Sequence, residues 1–162
     1  MTRLRPLFAA ALIALVPAAL HAQGAQIAFG KVKQDTQQPV EVTADNLSVN
    51  QNDGTAVFSG NVLIGQGAMR LSAPKVQVYY DEAGKRIQRM IATGGVTIVS
   101  GDDAAEASTA EYNIDGGSIQ LRGDVLLVQG ASAITSEQMD IDIESGTARM
   151  QGRVKTVLQS DE

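Results

Sequence analysis

The chain has 162 residues, a net charge of −5, no cysteine, no tryptophan and one histidine, at position 21. That inventory leaves no Cys-His pair, and no Ser-His-Asp site once the N-terminal apolar stretch holding His21 is removed. It nearly excludes zinc sites of the usual ligand types. It also argues against nucleic-acid binding, since phosphates demand clustered Lys and Arg.

Residues 1–22 have the three-part layout of a secretory signal peptide. Arg3 and Arg5 come first, an apolar run from Leu7 to Leu20 follows, and Ala22 is the small residue before the expected cut. The run is shorter than the roughly 20 apolar residues a spanning helix needs, and Pro17 interrupts it. With no cysteine for lipid attachment, export as a free protein is expected. Cleavage would remove two basic residues and no acidic ones, leaving eleven against eighteen and a net charge of −7. Such a surface argues against simple electrostatic capture of an anionic lipid. Without disulfides, the core alone must hold the fold. Residues 23–39 are polar and aperiodic, and read as an arm ordered in part at best.

From Val40 the pattern changes. Apolar and polar residues alternate, as in Val76-Gln77-Val78-Tyr79-Tyr80 and Met139-Asp140-Ile141-Asp142-Ile143, the period of half-buried strands. No later stretch has a helical period. The strands also repeat. Phe58–Ile64, Ala92–Ile98, Leu121–Leu127 and Met150–Thr156 share the form apolar-x-Gly-x-Val-x-apolar, the last ending in Thr. Their glycines, Gly60, Gly94, Gly123 and Gly152, stand 34, 29 and 29 residues apart. Before each lies a small-x-x-apolar-x-apolar unit, at Ala44–Val49, Ala73–Val78, Thr109–Ile114 and Ser136–Ile141. A fixed period of this length marks stacked repeats, each unable to bury its apolar face alone. A mid-strand glycine implies a bulge, a bend or a close backbone approach. Bends at all four would fold long strands around a corner, giving a flattened tube or a jellyroll-like sandwich. An ordinary antiparallel sandwich fits the spacing too.

Alternation assigns the faces. Val42, Leu47, Val49, Phe58, Val62, Ile64, Leu71, Val76 and Val78 fall on one, as do Val96, Ile98, Tyr112, Leu121, Leu127, Met139 and Ile141. Asn61, Lys75, Gln77, Glu111, Gln120, Arg122, Asp140 and Arg153 fall on the other. A slip of one residue would exchange the sets, so the register is strongly specified. The inner set is aliphatic, which suits acyl chains and a dry core alike.

Few residues suggest chemistry. Asp140, Asp142 and Glu144 alternate on one strand, a conceivable calcium site; a solvated outer face explains them better, because no further oxygen ligands are visible. Asp102 and Asp103 read as solvated loop acids. Asn46-Leu47-Ser48 matches a glycosylation sequon in an unsuitable strand context. Gly94-Gly95 lacks the strand-to-helix setting of a phosphate loop. No catalytic constellation, metal site or cofactor site is expected.

The run Val40-Glu41-Val42-Thr43-Ala44-Asp45-Asn46-Leu47-Ser48-Val49, with Val57-Phe58-Ser59-Gly60-Asn61-Val62-Leu63-Ile64-Gly65-Gln66-Gly67 after it, resembles the OstA-like family of periplasmic lipopolysaccharide-transport proteins. The family pattern is an apolar-x-Ala-Asp strand, a Phe-x-Gly-Asn-Val block, a Gln-Gly turn and a second Ala-Asp strand. Here that second strand reads Leu71-Ser72-Ala73-Pro74-Lys75-Val76, and Pro74 in place of the acid implies an edge or a bulge. Gly152 to Leu158 resembles the family's last strand. The resemblance covers residues 40–158 and leaves 159–162 as a short tail. It implies an all-β, stacked-repeat jellyroll open at both ends, with a groove for the acyl chains of lipid A. It implies a periplasmic, non-enzymatic link. An inner-membrane-anchored component would meet one end, and the outer-membrane translocon or another copy of the chain the other. On the family's strand pattern, Val42, Leu47, Phe58, Val62, Ile64, Leu71 and Val76 are expected to line the groove. Val40, Val42 and Ala44 would form the first partner-binding edge, and Val154, Thr156 and Leu158 the second, because an exposed strand edge recruits another strand. No cap for either end is evident in the sequence.

Three other functions compete. A membrane-anchored sister component of the same system would keep its N-terminal segment uncleaved. A polysaccharide-acting enzyme on a β-solenoid would need an acidic pair, and none is singled out. A structural or adhesive repeat protein would bind no lipid.

Overall fold

A computed structural model of the chain describes residues 25–29 and 38–158. The expected signal segment and the C-terminal tail lie outside the described residues. The fold is all-β. Its strands, in chain order, are β1 (Ala25–Ala28), β2 (Glu41–Thr43), β3 (Asn46–Asn50), β4 (Thr55–Gln66), β5 (Met69–Tyr80), β6 (Ile87–Ser100), β7 (Asp103–Asn113), β8 (Ser118–Gln129), β9 (Ser132–Asp142), β10 (Thr147–Gln151) and β11 (Lys155–Val157). Every pairing is antiparallel, and β4 to β9 follow one another as a meander.

The six meander strands are too long to lie in one flat layer, and each breaks register near its middle. The shifts fall between Ser59 and Val62, Ser72 and Lys75, Thr93 and Val96, Glu106 and Thr109, and Arg122 and Val125. Gly60, Gly94 and Gly123 sit at these breaks, and Gly152 at the corner between β10 and β11. Gly60, Gly123 and Gly152 hold φ of 78°, 78° and 77°, and the residues after them, Asn61, Asp124 and Arg153, are also positive. Two successive left-handed residues turn the chain through a corner. Glycine is demanded at Gly123 for a second reason: a Cβ there would lie 2.8 Å from Ser108 Oγ and 2.9 Å from its Cβ. Pro74 lies at the β5 break, so it marks a bulge inside the sheet and not an edge.

The corners divide the sheet into two facing layers. Layer A runs β3, first half of β4, second half of β5, and so on through β9 to β10 and β1. Layer B runs β2, the other halves of β4 to β9, then β11. Thus β2 and β3 are two arms of one terminal strand, and β10 and β11 two arms of the other. Among the described residues the jellyroll is unclosed: β2 and β3 pair only with β4.

Two expectations need correction. The third repeat unit is two residues early: Ala107 pairs with Val96 as Ala73 pairs with Val62 and Ser136 with Val125. The unit is therefore Ala107 to Tyr112, not Thr109–Ile114. Ala110 stands where the other copies carry a larger aliphatic, which hid the match. The second correction concerns the arm. Within 23–39, Ala25–Ala28 forms β1, which pairs with β10 and covers its outer edge. Ile27 and Phe29 alternate toward the core, but a stretch this short has no visible period.

Candidate functional site

The interior between the layers is the candidate site, and the ladder register builds it. In layer A one inward row reads Leu47, Phe58, Val76, Ala92, Ala110, Leu121, Met139, Met150. A parallel row passes through Val78, Met90, Tyr112, Ile119 and Ile141 to Ala148 and Ile27. In layer B the facing row reads Val42, Ile64, Leu71, Ile98, Ala105, Leu127, Ile134, Thr156. These are apolar tracks perpendicular to the strands. They emerge at the β2 and β3 end; at the other end the layer B track reaches β11, while β1 covers the layer A rows, leaving Met150 and Ala148 buried.

All seven expected groove residues lie on these tracks or beside them. Val62, Ile64, Leu71 and Val76 are almost fully buried, Val42 and Phe58 half-buried. Leu47 differs: it shares the inward face with Phe58 but is 57% exposed, because β3 is terminal and no further strand shields it. Val49 beside it is 60% exposed for the same reason. At the opposite end Val154, Val157 and Leu158 are exposed too. The two expected edges are therefore terminal arms, β2 with Val40 and Ala44 flanking it, and β11 with Val154 and Leu158 flanking it. Layer A at the β3 end and layer B at the β11 end thus both expose apolar side chains.

The margin of layer B away from the corners is polar. Gln66, Ser100, Asp103, Gln129 and Ser132 follow one another in register, interrupted by Met69. Asp103 was expected in a solvated loop. The β6–β7 turn is only Gly101-Asp102, so Asp103 opens β7 and is buried. Gln66 joins the layers: its Oε1 accepts from Tyr112 Oη, and its Nε2 donates to the Gln38 carbonyl at 3.0 Å. Burial removes water from the phenol and pushes the Tyr112 pKa up to about 12. Gln129 Nε2 donates to the Ala28 carbonyl at 2.7 Å, a second link between layers. Sequence reading missed both links; the only signal was polarity at inward positions beside the turns.

Of the three acids expected on one strand, Asp140 and Asp142 lie on the outer face of layer A, whereas Glu144 lies past the end of β9 in the turn to β10. Asp140 accepts amide hydrogens from Gln120 at 2.6 Å and from Gln138 at 2.9 Å. Asp142 accepts the Ser145 N–H in the β9–β10 turn, and that bond holds its carboxyl below the usual range. Among the described residues no group of three or more acids or other ligand types could hold a metal ion, and no helix is long and apolar enough to cross a membrane.

The family model for the LptA/(LptD N-terminal domain) LPS transport protein matches residues 41–147. An uncharacterized protein of Rhizobium meliloti (strain 1021) is 26% identical over 116 residues, which is 67% of this chain and 62% of that protein. The lipopolysaccharide export system protein LptA of Escherichia coli (strain K12) is 36% identical over 47 residues, 29% of this chain and 25% of LptA. The chain thus spans less than two thirds of either relative. The crystal structure of LptH, the LptA-homologous periplasmic component of the lipopolysaccharide transport device of Pseudomonas aeruginosa, has the same fold. It superposes with a TM-score of 0.69 at 19% identity, over 78% of this chain and 99% of LptH. A match of the family model to most of the strand region, together with that shared fold, shows that the chain belongs to the LptA/LptD N-terminal domain family of lipopolysaccharide-transport proteins.

Proposed function

We propose that the chain binds the acyl chains of lipopolysaccharide between its two layers and carries them across the periplasm. It does so as a link between an inner-membrane-anchored component and the outer-membrane translocon, without catalysing a reaction. The observation that carries this reading is the apolar interior that spans the whole row of strands, with Leu47 and Val49 exposed at one end and Val154 and Leu158 at the other. A core built only for stability needs burial; it does not need large apolar side chains left exposed at both ends. The anchored component meets the β2 and β3 end, and the translocon, or another copy head to tail, meets the β11 end. Strand direction permits such extension, because the antiparallel steps from β3 to β10 leave these two running oppositely. The mature protein starts at Gln23, after cleavage behind Ala22.

Photo-crosslinking in living cells tests the site. A photoreactive residue at Phe58, Val62 or Ile64 should label with lipopolysaccharide, and one at Asn61 or Leu63 should not. Leu63 is a sharp control: it is as apolar as its neighbours but faces outward, 44% exposed. Equal labelling of both faces would refute the assignment.

A further inference from the structure

The two terminal strands of layer A do not present the same surface. At one end β3 has an open outer edge among the described residues, with Leu47 and Val49 standing out of the core. At the other end the edge of β10 is already filled by β1. The register pairs Gln26 with Arg149 and Ile27 with Ala148. Phe29 continues the fit: it is 5% exposed, and its N–H donates to the Gly146 carbonyl at 2.9 Å. Layer B has no counterpart among the described residues, where β11 pairs only with β9.

Strands β1 and β3 offer the same chemistry to that edge. Each offers two large apolar residues at alternate positions, Ile27 and, just past the strand, Phe29 in one, Leu47 and Val49 in the other. Each also runs antiparallel to β10. We propose that β1 is an internal cap, occupying in cis the docking site for strand β3 of a second copy of this chain. This rests on the reading of the chain as a link in a bridge. The cap covers half of the terminal edge. An incoming copy can lay its β2 along the open β11 first, then displace β1 from β10. The exchange replaces one short ladder with another, so each strand bonded to β10 is given up only as the next arrives. Capping also hides an edge that would otherwise invite unselective pairing.

A lock tests the cap. Cysteines replacing Gln26 and Arg149 would face each other across an antiparallel pair, where Cα atoms lie about 4.5–5.5 Å apart, within disulfide reach. The chain has no other cysteine. Sedimentation across a concentration series then compares the oxidised lock, the same protein reduced, the native chain, and a released variant, Ile27→Asp, with circular dichroism as folding control. The released variant should associate end to end at about tenfold lower concentration than the native chain. The oxidised lock should stay monomeric where its reduced form associates. Adding Leu47→Asp to the released variant should abolish the gain. Equal association of locked and reduced protein, no gain on release, or no association in any form would each overturn the cap. Lipid crosslinking at Val62 of the locked monomer is a separate readout, so failure of the cap and failure of the lipid-binding reading are distinguishable.

Discussion

Gly123 and Gly130 both hold positive φ, 78° and 56°, yet they answer to different constraints. An added Cβ at Gly130 meets nothing within 4 Å, whereas at Gly123 it runs into Ser108. Left-handed backbone costs a residue with a side chain about 1–2 kcal/mol. Gly130→Ala should therefore lower stability by about that amount. Gly123→Ala should cost clearly more, and Ser108→Gly in the same chain should recover the excess, because it removes both colliding atoms. Urea midpoints of the four proteins close the cycle. Equal losses at the two glycines would mean that the corners relax freely. Corner glycines were legible as a repeat from their spacing and from the Val two residues on. Which atom each one admits was not, because Ser108 reaches Gly123 only through strand pairing.

On the proposed function, the paired terminal arms are where the elements meet partners. Strand β11 spans three residues, all exposed, and pairs with Ala133, Ile134 and Thr135 on one side. Docking through its other side depends on backbone groups, so side-chain truncation should matter little. Lys155→Ala should leave capture of the outer-membrane partner within about twofold of native. Thr156→Pro removes an N–H from the strand and should weaken capture about tenfold or more in a pull-down, with circular dichroism confirming the fold. A folded proline variant that still binds normally would sink edge-to-edge docking. Alternation made both end strands and the inward register readable, and glycine spacing made the bends readable. Strand β1 was not, since Ile27 and Phe29 gain meaning only beside Ala148 and Gly146. Nor was the third repeat in its true register, because Ala107 and Ala110 are as small as many surface residues.

For the molecule as a whole, charge and apolar surface are separated. The chain is net negative, and its polar network, Asp140 with Gln120 and Gln138, and Arg89 with Glu111 at 3.2 Å, lies on the outside of layer A. On the proposed function, affinity for an anionic lipid would come from the interior, against a weak overall repulsion. Raising salt from 0.05 to 0.5 M shortens the screening length from above 10 Å to well below it. Binding of lipopolysaccharide should stay level or tighten over that range, as measured by fluorescence titration. A loss of tenfold or more would instead point to basic residues holding the headgroup. The row of corners has one more consequence. It makes the protein a sheet with a single crease. Ladder bonds run within each half, so the halves can swing apart without breaking one. What resists, among the described residues, is torsion at the crease, the links from Gln66 and Gln129 at the free margin, and apolar contact that a bound acyl chain would replace. On the proposed function, cargo size would be accommodated by an angle, and one conduit could take lipids of different acyl number without a change of residue.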